Sequence, residues 1–246
     1  HFNQNEVYFS SELKAILLFK KNNIKINQNA LKNYINFLWS PGENTPIDEF
    51  KKLLPGHYLI GNINDIKNIK NNKYYSVPFK GEYFLNHSET DLVNELEIRL
   101  IKAVKRQMLS DVPLGFFLSG GLDSSILVAI ARKLYPKKQI NCYTIKNDPI
   151  GGVVDDLQYA KKVAKFLNVN LKIIDAKSNI LNHFDKVIYH LDEPQADPAA
   201  IHVYNICKAA REDGIKVLIG GTAGDDLFSG YRRHQALRIE LLFEKI

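Results

Sequence analysis

The chain has 246 residues, 45 % of them hydrophobic and 24 % charged, with a formal net charge of +6. Those proportions lie near the globular average, so a core can be buried in one large domain or two modest ones. Its two cysteines, Cys142 and Cys207, lie far apart, which excludes a disulfide framework or a cysteine metal site and suits a reducing cytosol.

The chain opens with "HFNQNEVYFSSELKAILLFKK". With no basic n-region and a five-residue apolar run, this stretch is not expected to be a signal peptide. The longest apolar runs, such as "SSILVAIARK", are far short of a membrane span, so the expectation is a soluble, cytoplasmic protein with no membrane partner. The positive charge is spread among asparagines, as in "FKKNNIKINQNALKN" and "NINDIKNIKNNKYY". That pattern reads as a solvated surface with loose attraction for phosphate, and no motif predicts a specific nucleic-acid partner.

Up to about residue 88 short strand-like runs alternate with turns: "EVYFSS", then "PGENTP", then "LLPGHYLIGN". Trp39 and the aromatics around it are expected in the core of this region. Ser88 followed by Asp91 predicts a helix start, and the domain boundary is placed there, giving residues 1–88 and 89–246.

The second region alternates strands and helices. Strands are predicted over 114–118, 140–145, 169–174 and 216–219, and helices over 123–134, 155–167, 178–191 and 199–213. This order predicts an α/β fold, a doubly wound parallel sheet with helices on both faces, preceded by a partial α+β region. Ligands of such sheets bind beyond the carboxyl ends of the strands.

Two glycine-rich stretches fall at those ends: "LGFFLSGGLDSS" (114–125) and "VLIGGTAGDDLFSGYRRH" (217–234). In the first, Gly120 and Gly121 let the backbone approach an anion, and the helix that follows points free N–H groups at it. Ser119, Ser124 and Ser125 can add hydroxyl donors. Asp123 inside a phosphate site implies a cation, because Mg²⁺ takes one or two carboxylates together with substrate phosphates. Five specified positions of S-G-G-x-D-S coincide by chance about once in a thousand chains or fewer. In the second stretch, Asp225 and Asp226 offer another carboxylate at a neighbouring strand end.

These residues resemble the N-type ATP pyrophosphatases, and among them the synthetase domain of glutamine-dependent asparagine synthetases. "FSSELKAIL" (9–17), "FLWSPGENTPIDEFKKLLPGHYL" (37–59), "DVPLGFFLSGGLDSS" (111–125), "DEPQADPAAI" (192–201) and "GGTAGDDLFSGYRRH" follow the family's order. The resemblance implies an adenine nucleotide alpha-hydrolase-like (PP-loop) sheet after the closing part of an Ntn-type glutamine amidotransferase domain. It implies that Ser119 to Ser125 wrap the pyrophosphate of ATP and that Asp123 and Asp225 hold Mg²⁺ as the catalytic pair. Leu118, Ile145 and Gly221 match positions lining the adenine pocket. The reaction implied is adenylation of aspartate or another carboxylate, then displacement of AMP by ammonia. A homodimer is left open.

The family's G-E/D-G-x-D-E motif has an acid where this chain has Thr222. The family's glutaminase half needs an N-terminal cysteine nucleophile, whereas residue 1 is His and residues 1–88 resemble only the closing part of that domain. No glutaminase activity is therefore expected, and the chain is read as truncated after Ile246. Other acyl acceptors (a sugar acid or a β-lactam precursor) and a non-catalytic ATP-binding relative are the alternatives. Asp192, Glu193 and Asp197, in a loop with Pro194 and Pro198, are candidates to face the amino-acid substrate. Arg232 and Arg233 are candidate anion donors or a solvated helix start. Asp155 and Asp156 are read as helix-start acids, and His57, His190 and His202 as structural.

Overall fold

The computed structural model describes residues 6–19, 24–77, 86–146, 156–175, 180–197 and 199–243. Asp155 and Pro198 lie outside them. The chain divides into two compact units, residues 1–85 with 181–201, and residues 86–180 with 202–246. The stretch 181–201, assigned by its texture to the second region, thus packs with the first. No helix among the described residues is long and apolar enough to cross a membrane.

The first unit contains α1 (Leu13–Leu17), α2 (Gln28–Phe37) and an antiparallel hairpin of β1 (His57–Asn62) and β2 (Asp65–Lys73). Asn27 caps α2 by accepting the Asn29 and Ala30 N–H groups, each at 3.0 Å. Ile16, Ala30 and Phe50 are buried. Trp39 is 52 % exposed, contrary to its expected core position. Leu38 ends α2 in the left-handed region, and Trp39 then lies beneath the Lys52 ammonium, 5.9 Å from the ring centroid. A wide aromatic face serves a cation as readily as a core.

The second unit opens with α3 (Glu89–Gln107), where Ser88 Oγ accepts the Asp91 N–H at 3.2 Å, the cap its sequence predicts. There follow β3 (Leu114–Phe117), α4 (Leu122–Leu134), β4 (Asn141–Lys146), α5 (Leu157–Leu167) and β5 (Asn170–Asp175). After α6 (Ile180–Leu191), which belongs almost wholly to the first unit, and α7 (Ala199–Glu212) come β6 (Val217–Ile219), α8 (Gly224–Leu227) and α9 (Arg232–Phe243). The sheet is wholly parallel, ordered β5-β4-β3-β6.

Alternation along the strands sorts side chains to two cores, as a period of two requires. Phe116, Leu118 and Cys142 join Val104 of α3, Met108 at its C-cap, Val128 and Ala131 of α4, and Ala160 and Ala164 of α5. Phe117, Tyr143 and Ile145 turn to the other face, against Ile206 and Ala210 of α7. Helices on both faces make the sheet doubly wound. Leu118 falls just past β3, yet its N–H still donates to the Tyr143 carbonyl at 2.9 Å. Asp156 precedes α5 but makes no side-chain cap bond. Cys142 is buried and Cys207 exposed, and both are free. Burial pushes the Cys142 thiol up to about 12, which makes it inert.

Where α7 ends, Tyr143 donates its hydroxyl proton to Asp213 Oδ2 at 3.0 Å, and Lys172 meets Asp213 Oδ1 at 2.8 Å. Burial, then the Asp213 bond, push the Tyr143 phenol up to about 12. The Lys172 hydrogen bond holds the Asp213 carboxyl below its usual 3.8. A carboxyl depressed in the fold stabilises above its unfolded pKa, and that stability is lost as pH falls through the folded value. Asp213→Asn is therefore expected to lower stability at neutral pH. In urea melts taken across pH, its deficit should shrink only once the pH drops below 3.8.

Candidate functional site

The first glycine-rich stretch is closed on itself by its serines. Ser119 Oγ lies 3.0 Å from Ser124 Oγ and accepts the Gly121 N–H at 3.3 Å. Ser124 and Ser125 donate to the Gly121 carbonyl at 3.1 and 2.7 Å. With both hydroxyl protons so used, backbone N–H groups are the donors left for an anion. Gly121 is the N-cap of α4, and no side chain caps that helix.

The two glycines act differently. Gly120 has φ +88° and its Cα rests on the first turn of α5. A methyl there would lie 2.8 Å from Tyr159 Cβ and 2.9 Å from the Asp156 oxygen. A methyl at Gly121 would meet only Ser119 Oγ, at 3.4 Å. Gly120 is needed for packing behind the loop, and Gly121 leaves its front open.

The neighbouring strand brings the second stretch alongside. Leu114, Gly115 and Phe116 pair with Val217, Leu218 and Ile219, so Gly220 emerges against Phe117 and Gly221 against Asp123 and Ser124. Ala223 takes the left-handed conformation (φ 74°) and starts the single turn of α8. Asp123 fits against this turn. A methyl on Gly221 would lie 2.9 Å from Asp123 Cβ, and one on Gly224 would collide with the Asp123 carboxylate. Asp225 follows directly and folds over Gly230, whose N–H donates to the Asp225 carbonyl at 2.9 Å.

Asp123 and Asp225 are half-buried, and no residue among the described ones bonds either carboxylate. Asp226 differs: it pairs with Arg233 at 2.7 Å, and that guanidinium lies 3.8 Å above the Tyr231 ring. Thr222 is exposed. Among the described residues no cluster of three or more His, Cys, Asp or Glu could hold a metal. Two carboxylates with no partner among the described residues, beside an uncapped helix start, suit Mg²⁺, which keeps water and phosphate ligands, and not Zn²⁺, which wants nitrogen and sulfur. Leu118, Ile145 and Gly221 lie at the carboxyl ends of β3, β4 and β6, three adjacent strands. The structure thus gathers all the predicted nucleotide-site residues at one edge of the sheet.

Asp192, Glu193 and Asp197 belong to the first unit. Asp192 Oδ2 accepts the Leu13 N–H at 2.7 Å, and Oδ1 pairs with Lys14. That Asp192 bond raises the Lys14 pKa. Glu193 pairs with Lys52 at 3.0 Å, and the Ala196 N–H donates to the Leu38 carbonyl at 3.1 Å. Asp197 accepts the Ala199 N–H at 2.8 Å, at the start of α7. These acids fasten their own segment, and the sequence offered no sign of it because the partner lysines lie far off in the chain.

Residues 95–246 match the sequence model of the asparagine synthase family. The chain belongs to that family. Residues 1–75 match the glutamine amidotransferase domain. Over 98 % of its length the chain is 31 % identical to asparagine synthetase [glutamine-hydrolyzing] 1 of Bacillus subtilis, covering 37 % of that protein. It is 31 % identical, over 95 % of its length, to putative asparagine synthetase [glutamine-hydrolyzing] 2 of Methanocaldococcus jannaschii, covering 44 % of it. Amidase chyE of Penicillium rubens is 29 % identical over 78 % of the chain, which covers 30 % of that protein. The chain therefore spans less than half of each of these relatives.

Gly120→Ala adds a clash to a left-handed backbone and is expected to cost about 2–4 kcal/mol in urea unfolding, against less than about 1 kcal/mol for Gly121→Ala. Lys14→Glu should destabilise the first unit, and Asp192→Lys added to it should recover part of the loss in the same assay.

Proposed function

We propose that this chain carries the ATP site of an AMP-forming amide ligase of asparagine synthetase type. The observation that carries the reading is the pair Asp123 and Asp225, unpaired beside a loop whose front is open and backed by a helix start. A pyrophosphate group needs donors and a cation together, and these residues supply both at a strand-end crevice.

In this reading the N–H groups of Leu122, Asp123 and Ser124, at the start of α4, bind the pyrophosphate of ATP, and Leu118, Ile145 and Gly221 flank the adenine. Asp123 and Asp225 would hold Mg²⁺, which supplies positive charge against the pyrophosphate as it leaves. A substrate carboxylate oxygen attacks the α-phosphorus, and the bond to the pyrophosphate oxygen breaks. Ammonia then attacks the acyl carbon, and the bond to AMP breaks as the nitrogen sheds a proton. The loop contributes by holding the leaving group in line. Residues 1–75 would belong to the domain that delivers ammonia from glutamine.

A second acyl substrate, another carboxylic acid in place of aspartate, is favoured by one feature. Thr222 cannot take a proton at neutral pH, and the neighbouring Asp226 is engaged by Arg233. If the family's acid at this position is a general base, its absence slows the ammonia step by about 10²- to 10⁴-fold. Resemblance to a fungal protein named as an amidase supports a family whose members differ in acyl partner.

Calorimetric titration of Mg-ATP is expected to show binding by the wild type that weakens at least about tenfold in Asp123→Ala. Pyrophosphate exchange into ATP, screened over carboxylic acids, then identifies the acyl substrate. A folded wild type that takes up no Mg-ATP would sink the proposal.

A further inference from the structure

Helix α7 buries a polar residue among small and apolar ones. Asn205 is 6 % exposed, in line with buried Ile206, Ala209 and Ala210. Its Nδ2 is buried with no hydrogen-bond partner among the described residues. A buried amide group without a partner has given up water and received nothing in exchange, so a leucine of similar size would serve a core better.

The level of Asn205 along the sheet follows from the connections. Lys216 donates its N–H to the Pro113 carbonyl at 3.1 Å, at the start of β3, so the end of α7 lies near the amino ends of the strands. There Asp213 is bonded to Tyr143. Asn205 precedes Asp213 by about two helical turns, or about 12 Å, and so stands toward the carboxyl ends. Ile206, its neighbour in the chain, packs in the cluster that contains Phe117 and Ile145. Asn205 is thus buried at the level where β3 and β4 deliver Leu118 and Ile145.

We propose that the Asn205 carboxamide is a base-recognition group, which donates to a ring nitrogen of the purine of a bound adenine nucleotide. This rests on the nucleotide site proposed above. Purine N1, N3 and N7 are acceptors without protons, matched to a carboxamide N–H. An enclosed donor also rejects bases that present an N–H at the same point, because two donors would then face each other with no water between them.

The test pairs stability with binding. Asn205→Leu should be at least as stable as the wild type in urea unfolding, since it removes an unpaired buried donor. It should bind Mg-ATP about 5- to 20-fold more weakly by calorimetry and bind Mg-pyrophosphate unchanged. In the wild type, one of 1-deaza-, 3-deaza- or 7-deaza-ATP, each lacking one ring acceptor, should lose a similar factor, and Asn205→Leu should not discriminate against it. Mg-ATP binding by Asn205→Leu equal to that of the wild type overturns this proposal and leaves the nucleotide site standing. An equal loss for pyrophosphate overturns it too, because the effect would then come through the loop. Should Asn205→Leu fail to fold, equal wild-type binding of all three deaza analogues overturns the proposal and loss with one supports it. A wild type that binds neither Mg-ATP nor Mg-pyrophosphate overturns both proposals.

Discussion

The candidate site depends on the contact between the Gly120 backbone and the first turn of α5. Nothing larger than hydrogen fits on Gly120, so the loop after β3 is pressed against Asp156, Tyr159 and Ala160. With that side fixed, the Ser119–Ser124 bond and the serine hydroxyls on the Gly121 carbonyl close the loop. The start of α4 then has one direction, and Asp123 in its first turn is carried to Gly221 and Gly224 on the neighbouring strand end. Each step is backbone against backbone or a short side chain against glycine. Such contacts have few rotamers to lose, so the geometry is held before any ligand arrives.

The carboxylates in the two units show how environment decides the use of one chemical group. Asp192 is joined by an ammonium and a helix N–H, and Asp213 by a lysine and a phenol. Both work as fasteners. Asp123 and Asp225 have no cation or donor among the described residues, whereas the adjacent Asp226 pairs with Arg233. Leaving two carboxylates uncompensated works against folding, and the proposed Mg²⁺ would supply the charge they lack.

Much of the second unit was legible because parallel strands buried on both faces read as short apolar blocks, and Pro136 and the glycines punctuate them. The Ser88 cap was legible from two residues three apart. The glycine-rich stretches were legible in type and place, but not in division of labour: only packing against α5 reveals that Gly120 and Gly121 do different things. Sequence failed where the partner is remote. "DEPQADP" shows acids and prolines, and nothing local tells that Lys14 and Lys52 answer them. Trp39 misled for a related reason, since its neighbour in space is a lysine from a later turn. Asn205 gives no signal at all, being one polar residue in an amphipathic helix.

The excursion of residues 181–201 has a consequence for how this architecture can be cut and recombined. The polypeptide passes from the first unit to the second, returns, and passes back again, so one severed bond never yields two whole modules. A gene fragment starting at α3 would still encode the Asp192–Ala196 loop but not Lys14, Lys52 or the Leu38 carbonyl that hold it. It would inherit two orphaned carboxylates on the connection between β5 and β6. Exchange of either half between relatives must therefore carry both sides of these pairs, which ties the histories of the two units together.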